Sequence, residues 1–358
     1  MSRAVRLTDH PGDRAQDALA ALLDDLGNGA DPASALALVR SRTELFPLPG
    51  TGETTRLWES LASVASVSLS AARAIEPHLD ARAILAQART AGHLTLGLDE
   101  DAVWGVYAAE GPGVRLEAVP AGGAGEPSGG EAVRLHGTKP WCSLAGSLSH
   151  ALVTAWDGPS TRRLYAVALG AANGVTVHES AWFARGLVDV PSGPVTFDGS
   201  LASPVGPAGW YLERPGFAFG GMGVAAIWYG GAVGVARRML VAGREPDQVA
   251  LMHVGAVDAA LWAARATLAD AAQRVDDGRA EGSEGGALAL RVRHVVSRAA
   301  ELVLQRVGHA TGPAPLALED EHAGRVADLQ LYLRQEHAER DEAALGRLVL
   351  GREVSAWW

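Results

Sequence analysis

The stretch that decides the fold runs from Leu135 to Trp156 and reads LHGTKPWCSLAGSLSHALVTAW. It contains the end of one short apolar run, AVRLHG from Ala132, and the whole of another, ALVTAW from Ala151. Pro140 and the small residues between the two runs are typical of a turn. The pattern predicts two β-strands with a structured turn between them.

Seven short apolar runs of this kind occur between about Asp101 and Ser203, at a spacing of roughly ten residues. They begin at Val103, Val114, Ala132, Ala151, Leu164, Gly174 and Pro194. Turn-forming residues separate them, most densely in GGAGEPSGG at Gly122–Gly130. Many short strands at this spacing predict a small antiparallel barrel or sandwich.

The chain on both sides of these strands has the period of α-helices. Apolar residues from Leu57 to Ile75 fall at three- and four-residue steps, and Pro77 is expected to kink or end that helix. After about Phe217 the same steps return, and between Leu288 and Val307 they continue without a break. Long helices joined by polar loops predict a four-helix bundle in the C-terminal part of the chain.

The predicted fold is therefore a multi-domain α+β architecture. Residues 1–99 form an N-terminal α-helical domain, residues 100–206 a central β-barrel domain, and residues 207–358 a C-terminal helical bundle. One uncharged stretch, Phe217–Val235, has 19 residues, close to the roughly 20 that span a bilayer. Its many glycines and few long aliphatic side chains favour a buried, closely packed helix over a membrane span.

The amino-acid composition argues against several kinds of function. The 358 residues include 31 Lys and Arg against 41 Asp and Glu, a formal net charge of −10, and this acidity argues against nucleic-acid binding. The single cysteine, Cys142, excludes an internal disulfide and a cysteine-based zinc cluster, and no metal is predicted. It also favours a reducing, cytoplasmic compartment, and the charged N-terminal residues do not resemble a secretory signal.

The order of helices, small β domain and helical bundle resembles the acyl-CoA dehydrogenase family, and a set of motifs supports the resemblance. The most specific is Leu135–Trp156, which is similar to the family's segment hG-x-K-x-W-(I/C)-(S/T). VYAAEGPG at Val106–Gly113 resembles the segment that opens the family's β domain, and VTFDGSLASPVG at Val195–Gly206 resembles the strand that leaves it. GMGVAAIWYGGAVGVARRML at Gly221–Leu240 resembles the first long helix of the family's bundle. LQRVG at Leu304–Gly308 resembles the family's Q-x-x-G-G turn.

The resemblance implies an FAD-dependent oxidoreductase of lipid metabolism. In that family FAD lies between the β domain and the bundle, and the substrate is an acyl-CoA thioester. A carboxylate removes the α proton while the β hydride passes to the flavin. The resemblance also implies a separate electron-acceptor flavoprotein and a homo-oligomer, either a dimer or a tetramer.

For the cofactor, the resemblance assigns Trp141, Cys142 and Ser143 to the segment whose backbone and hydroxyl contact the isoalloxazine ring. The alternative, from the residues alone, is a strand that carries a core tryptophan. Ala108 and Ala109 occupy the positions of a Val/Thr pair that lines the flavin. Because Ala109 has no hydroxyl, one hydrogen bond of about 0.5–1.5 kcal/mol is absent.

Four further residues carry weaker assignments. Arg244 lies near the place of an arginine that binds the FAD pyrophosphate, and a solvated loop arginine is the alternative. Gln305 and Gly308 match the Q-x-x-G turn that meets the FAD of a neighbouring subunit. Lys139, the only lysine, is interpreted as a surface charge beside a turn rather than as a catalytic amine.

The resemblance also implies a catalytic base. In the family, the catalytic Glu lies eight positions after an Asp, and in this chain Glu336 lies eight positions after Asp328. The Gly-Thr expected after it is replaced by His337-Ala338, and Arg340 stands where an ordinary i,i+4 helical ion pair would place it. Glu336 is therefore either the base or a solvated helix residue.

Two other functions stay open. His337 is similar in place to the histidine-containing segment of flavin monooxygenases on this fold, which use reduced flavin and oxygen. The altered motifs are also compatible with a non-catalytic partner subunit, in a hetero-oligomer with an active dehydrogenase. A visible spectrum of the purified protein, with an acyl-CoA titration, separates these functions.

Overall fold

The computed structural model describes residues 4–8, 14–27, 31–94, 101–122, 132–214, 216–241, 245–351, 353–354 and 356. Helices come first in these residues, then strands, then helices again, which confirms the predicted fold class. The chain forms two compact units. The helical unit comprises residues 1–76, 184–189 and 218–358, and the β unit comprises residues 77–183 and 190–217. The three-domain division at residues 99 and 206 stays a prediction.

Four helices precede the strands: α1 (Arg14–Leu26), α2 (Pro32–Ser41), α3 (Thr54–Ala65) and α4 (Leu69–Thr90). The single helix predicted from Leu57 to Ile75 is interrupted, because the Ser68 hydroxyl accepts a hydrogen bond from the Ala71 amide at 3.1 Å and caps a new helix. Pro77 lies inside α4 and does not end it. A proline removes one N–H donor, and the buried residues before and after it hold the other turns in place.

The seven strands match the seven predicted runs: β1 (Trp104–Tyr107), β2 (Leu116–Pro120), β3 (Val133–Lys139), β4 (His150–Trp156), β5 (Arg162–Ala168), β6 (Val175–Val177) and β7 (Val195–Val205). β2, β3, β7, β5 and β4 pair in that order and close into a ring. The pairings are antiparallel, except that β4 pairs in parallel with β1 and β2. The barrel is therefore mixed at β4, whereas the sequence predicted a fully antiparallel one. Most of the predicted turn cluster at 122–130 lies outside the described residues.

Apolar side chains fill the inside of this barrel. Leu135, Tyr165 and Phe197 are each 1% exposed or less, and Cys142 belongs to the same core. The residues that follow β3 are therefore anchored in the barrel core. A rigid scaffold of this kind is what holds site residues in a fixed geometry.

The remaining helices are α5 (Trp210–Glu213), α6 (Gly216–Ala236), α7 (Gln248–Asp276), α8 (Gly282–Thr311), α9 (Ala314–Leu318), α10 (Asp320–Tyr332) and α11 (Glu339–Leu350). Within the helical unit, α6 approaches its neighbours at backbone distance. A Cβ atom at Gly230 would lie 2.1 Å from the Ala62 carbonyl oxygen, and one at Gly234 would lie 2.6 Å from that of Ser66. This is the close packing that the glycines predicted.

Two helices, Gly216–Leu240 and Gln248–Asp276, are long and apolar enough to cross a membrane. The most apolar window of the first is 67% buried inside the structure, and that of the second is 17% buried. Core helices satisfy the same length and hydropathy, so this is weak evidence for a span. The burial of the first agrees with the core helix predicted for Phe217–Val235.

Candidate functional site

The segment after β3 has two residues in the left-handed backbone region. Trp141 and Leu144 both have a φ of 59°, which is uncommon for residues other than glycine. Backbone hydrogen bonds hold this turn, from Cys142 N to Gly193 O at 3.0 Å and from Leu144 N to Pro191 O at 2.8 Å. Strained backbone that its surroundings fix in this way is typical of segments that contact ligands.

The three predicted flavin residues of this turn differ in exposure. Trp141 is 60% exposed, whereas Cys142 is 1% and Ser143 is 8% exposed. The Ser143 hydroxyl lies 2.8 Å from the Ser192 hydroxyl, and the Ser143 carbonyl accepts a hydrogen bond from the Tyr107 hydroxyl at 3.0 Å. The alternative interpretation of Trp141 as a core tryptophan is therefore wrong, because its ring is presented to solvent.

The thiol of Cys142 lies in a buried environment that disfavours its charged form. Burial raises the pKa of the Cys142 thiol to about 12, against the opposing effect of the Lys139 charge. Its Sγ donates a hydrogen bond to the Lys139 carbonyl at 3.3 Å. A thiol with this pKa stays protonated near neutral pH and is a poor nucleophile. The cofactor contact predicted for Cys142 can thus involve its backbone only.

Lys139 is buried, and its predicted position at the surface is wrong. It is 1% exposed, and its Nζ donates to Glu110 Oε1 at 2.5 Å and to Thr154 Oγ1 at 2.9 Å. The prediction treated a lysine beside a turn as solvated, whereas an ion pair here compensates the burial of the charge. Glu110, the one acidic residue of the VYAAEGPG motif, was the sequence signal that could have revealed this pair.

The two alanines predicted to line the flavin follow β1 directly. Ala108 is partly buried, and its carbonyl accepts a hydrogen bond from the Thr154 hydroxyl at 3.3 Å. Ala109 is exposed. The β unit thus holds Ala108, Ala109 and the Trp141–Ser143 turn in one network, through Thr154, Lys139 and Tyr107.

Glu336 lies between two helices rather than within one. A short 3-10 turn, Leu333–Gln335, follows α10, and Glu336 itself is extended. Ala338, with a φ of 49°, precedes the start of α11. The helical ion pair between Glu336 and Arg340 is therefore not formed in the described residues. The chain leaves the helical conformation at the positions that would have aligned the two side chains.

Three residues that interact with Arg293, among them Glu336, have buried polar atoms without partners in the described residues. Oε1 of Glu336 is buried without a hydrogen-bond partner in the part of the chain that the structure describes, as are the Tyr332 hydroxyl and the Trp228 indole nitrogen. The Trp228 and Tyr332 rings meet edge to face, with centroids 6.3 Å apart. Burial raises the pKa of Tyr332, so this phenol stays neutral. We call Trp228, Arg293, Tyr332 and Glu336 the Glu336 cluster.

Arg293 is the cation of this cluster. Its guanidinium lies 4.6 Å from the centre of the Trp228 ring, and it donates to Gly221 O at 3.1 Å and to Gln335 O at 2.7 Å. Burial lowers the pKa of Arg293, and the charges of Asp341 and of Glu336 oppose this change. Arg293 thus fixes the carbonyl next to Glu336 and contributes a positive field to it. Sequence reasoning missed this arginine, which lies on α8, far along the chain from Glu336.

His337 and Asp328 flank Glu336 in sequence but have other partners. His337 is exposed, and its Nδ1 lies 3.3 Å from Asp341 Oδ1. Asp328 accepts a hydrogen bond from the Leu187 amide at 2.6 Å, and burial raises the pKa of Asp328. Asp328 therefore anchors the 184–189 segment on α10 within the helical unit.

The remaining predicted residues are those that the resemblance assigns to the nucleotide end of the cofactor. Gln305 and Gly308 lie inside α8, so the turn predicted at that point is wrong. The helix continues because His309 stands in place of the second glycine, and it ends only at Gly312, which has a φ of 69°. Arg244 lies outside the described residues. The pyrophosphate contacts stay predictions from sequence.

This architecture is the acyl-CoA dehydrogenase fold, as solved structures of that fold demonstrate. FMN-bound TdsC, a dibenzothiophene monooxygenase from Paenibacillus sp. A11-2, is 19% identical, with a TM-score of 0.73 over 95% of this chain and 98% of that one. Butyryl-CoA dehydrogenase from Megasphaera elsdenii is 15% identical, with a TM-score of 0.73 over 96% and 100% of the two chains.

KijD3, solved with FMN and a dTDP-linked amino sugar, is 19% identical, with a TM-score of 0.72 over 96% of this chain and 95% of that one. No protein-family model and no curated protein matches the sequence. At these identities the likeness establishes the fold. The chemistry has to be argued from this chain's own residues.

Proposed function

We propose that this chain is a flavin-dependent oxidoreductase that dehydrogenates an acyl-CoA or a related small acyl thioester. The fold and the order of the family-like motifs support a flavoenzyme, and the Glu336 cluster supports the dehydrogenation. The flavin, when bound, supplies the acceptor for the hydride that leaves the β carbon of the substrate.

The Trp141–Ser143 turn fits the ring of a flavin. Trp141 offers an exposed aromatic face on which a flat heterocycle stacks. The Ser143 hydroxyl, held by Ser192, is a donor or acceptor for the polar edge of the ring. Ala108 and Ala109 have small side chains, which leave room for the ring near the backbone. FAD is the flavin that the motifs imply, and FMN is the alternative because TdsC and KijD3 were solved with it.

Glu336 is the proposed base, and its unpartnered buried oxygen is the observation that carries the proposal. A carboxylate oxygen without a hydrogen-bond donor has a free lone pair with which to accept a proton. Arg293 holds the Gln335 carbonyl next to it at 2.7 Å and so helps to fix the position of Glu336. Oε1 of Glu336 thus takes up the α proton of the thioester, in a site where burial excludes competing water.

The decisive experiment is an anaerobic titration of the purified holoprotein with acyl-CoA thioesters, followed in the visible spectrum. We expect a yellow protein whose absorption bleaches with a saturated acyl-CoA. HPLC of the released flavin distinguishes FAD from FMN. A protein that binds flavin but is not bleached by any acyl-CoA would contradict dehydrogenation, and a protein that binds no flavin would support the non-catalytic partner subunit.

A monooxygenase is the second candidate, because His337 is exposed beside Glu336 and is held by Asp341 at 3.3 Å. An imidazole is a common proton donor or acceptor in enzymes. The likeness to TdsC and to methanesulfinate monooxygenase MsuC from Pseudomonas fluorescens agrees with this candidate. Oxygen consumption that depends on an added flavin reductase and on a substrate, without bleaching by acyl-CoA, would favour it.

We further propose that two copies of the chain associate through an exposed face of α7. Met252, Gly255, Ala259, Trp262 and Ala266 recur at three- and four-residue steps and are all exposed. This stripe is uncharged and about 21 Å long, at 1.5 Å per residue. A second, antiparallel copy fits it, because Gly255 and Ala259 leave space for the partner's large side chains. An electron-acceptor flavoprotein is a transient partner of the dehydrogenase function.

A further inference from the structure

Lys139 connects the ends of two strands that are not direct neighbours in the sheet. In the described sheet, β1 pairs with β4, whereas β3 pairs with β2 and β7. Within the described sheet, the end of β1 is therefore related to the end of β3 only through the strands between them, and no backbone ladder joins the two directly. The residues that follow these two ends are Ala108–Ala109 and Trp141–Ser143, which we propose as the walls of the flavin site.

The hydrogen bonds of the Lys139 ammonium link the end of β3 to the residues that follow β1. At the end of β3, its Nζ donates to Glu110 Oε1 at 2.5 Å, two residues beyond Ala108. It also donates to Thr154 Oγ1 on β4 at 2.9 Å, and Thr154 donates to the Ala108 carbonyl at 3.3 Å. One side chain of β3 thus holds the chain after β1 at two points.

The surroundings of Glu110 fix its carboxylate on the lysine. Arg162 Nη1 lies 3.5 Å from Oε1, and the Trp156 indole nitrogen lies 3.4 Å from Oε2. Burial acts to raise the pKa of Glu110, but the hydrogen bond and charge of Lys139 outweigh burial, so the pKa of Glu110 is lowered. Burial lowers the pKa of Lys139, and Glu110 opposes that change. The contact between Nζ and Oε1 joins the two groups as a salt bridge.

Burial makes the geometry of the Lys139–Glu110 pair specific. The Lys139 side chain is 1% exposed and that of Glu110 is 31% exposed. A fully buried ammonium has to keep its partners, because an unpaired charge in this place is strongly unfavourable. The buried pair therefore forms in one arrangement of the two segments, whereas a solvent-exposed pair would form in many.

We propose that Lys139 is a positioning residue for the flavin, which sets the Ala108–Ala109 segment against the Trp141–Ser143 turn. The identity of the ligand rests on the proposed function, but the connection between the two segments does not. Loss of the ammonium leaves Glu110 free to turn towards solvent and Arg162. The two walls of the site then keep the Tyr107–Ser143 hydrogen bond but lose the contacts to Glu110 and Thr154, so a flat ligand that contacts both walls binds more weakly.

The test compares Lys139→Met with Arg214→Met, in protein with and without flavin. Arg214 is the matched control because it forms another buried ion pair of the β unit, with Nη2 3.1 Å from Asp80 Oδ1. Hydrogen–deuterium exchange is measured by mass spectrometry in flavin-free protein, on peptides that cover 104–110 and 139–145. The dissociation constant for FAD and for FMN is measured by flavin fluorescence.

For Lys139→Met we expect faster exchange in both peptides and a dissociation constant raised about tenfold or more. For Arg214→Met we expect a lower melting temperature without either change. The double variant Lys139→Met, Glu110→Gln should match Lys139→Met alone, since both remove the same contact. If Lys139→Met does not fold, Glu110→Gln alone is expected to give the same local exchange.

Unchanged exchange in either peptide of the Lys139→Met protein would overturn the proposal. The proposal would also be overturned if Arg214→Met raised exchange and the flavin dissociation constant as much as Lys139→Met does. The effect of Lys139→Met would then be a general destabilisation of the β unit. Failure of the wild-type protein to bind any flavin would refute the proposed function, while the exchange measurement would still test whether Lys139 couples the segments.

Discussion

Cys142 and Glu336 are two ionisable side chains that burial places in different surroundings. The thiol of Cys142 lies among the apolar side chains of the barrel core, and it donates a hydrogen bond to a backbone carbonyl. The carboxylate of Glu336 has one buried oxygen that nothing in the described residues donates to. The thiol is inert because its charged form is disfavoured, whereas the carboxylate retains a lone pair for a proton.

The first prediction concerns the thiol. Because burial raises the pKa of Cys142 to about 12, native protein at pH 8 should not react with Ellman's reagent over an hour. In guanidinium chloride the same protein should release one equivalent of thionitrobenzoate, since the sequence has one cysteine. Rapid reaction of the native protein would mean that the segment after β3 opens readily.

The second prediction concerns the base. Glu336→Gln keeps the shape of the side chain and removes the proton acceptor, so flavin should stay bound while bleaching by acyl-CoA slows by roughly 10²-fold or more. Glu339→Gln, at an exposed position in the first turn of α11, is the control and should leave the rate unchanged. Stopped-flow absorbance under anaerobic conditions measures both rates. Equal rates for Glu336→Gln and the wild type would remove Glu336 from the reaction.

At the scale of elements, alternation and spacing were sufficient to predict the strands. All seven predicted runs form strands, because each combines β-branched or aromatic residues with turn residues on both sides. The helix ends were harder to predict. The break before α4 comes from the hydroxyl of Ser68, and the continuation past Pro77 comes from burial. Both effects depend on which atoms meet in three dimensions.

The site was predictable only where a local motif specified it. The motif around Trp141 marked the segment as a ligand contact, and the structure gives Trp141 an exposed ring and a strained φ of 59°. The Lys139–Glu110 pair and the place of Arg293 beside Glu336 join residues 29 and 43 positions apart in sequence. Charge burial of this kind leaves no periodic signal in the sequence.

The third prediction tests the packing of α6. Gly230→Ala places a Cβ atom 2.1 Å from the Ala62 carbonyl, so the helices have to move apart, and the free energy of unfolding should fall by about 1–3 kcal/mol. Gly286→Ala is the control on α8, because its Cβ meets nothing within 4 Å. There the loss of backbone freedom in the unfolded chain should raise stability by about 0.5–1 kcal/mol.

Urea denaturation followed by circular dichroism at 222 nm measures both variants of this third prediction. Both variants replace glycine by alanine inside a long helix, so opposite changes in the free energy of unfolding would come from the packing around each residue. Similar midpoints for the two variants would mean that α6 does not pack against α3 as closely as the distances indicate.

At the scale of the whole molecule, the sequence predicted the order of helices and strands but not the division into two units. Residues 184–189 lie between β6 and β7 in sequence, yet they belong to the helical unit. Two contacts hold them: the Leu187 amide donates to Asp328 Oδ1 at 2.6 Å, and a Cβ at Gly186 would lie 2.1 Å from the Ala327 carbonyl. These contacts link residues more than 140 positions apart, a separation at which a single sequence carries no pattern.

The fourth prediction concerns association through α7. Trp262 is 67% exposed and Met252 is 56% exposed on a stripe whose other members are small. If a second copy covers this stripe, Trp262→Glu places a charge in the interface, and the dissociation constant of the oligomer should rise about 100-fold or more. Gln273→Glu, at an exposed position nearer the end of the same helix, adds the same charge and should not change association.

Light scattering coupled to size-exclusion chromatography measures the mass of each variant across a concentration series. The wild type should elute as a dimer or larger, and Trp262→Glu should shift towards 37.1 kDa, the mass of one chain, while its circular dichroism stays the same. Flotation with liposomes tests the other occupant, since α7 is also long and apolar enough for a membrane. Binding of the wild type to vesicles, together with a monomeric mass in solution, would assign the stripe to lipid and overturn self-association, because one exposed face cannot be buried by both.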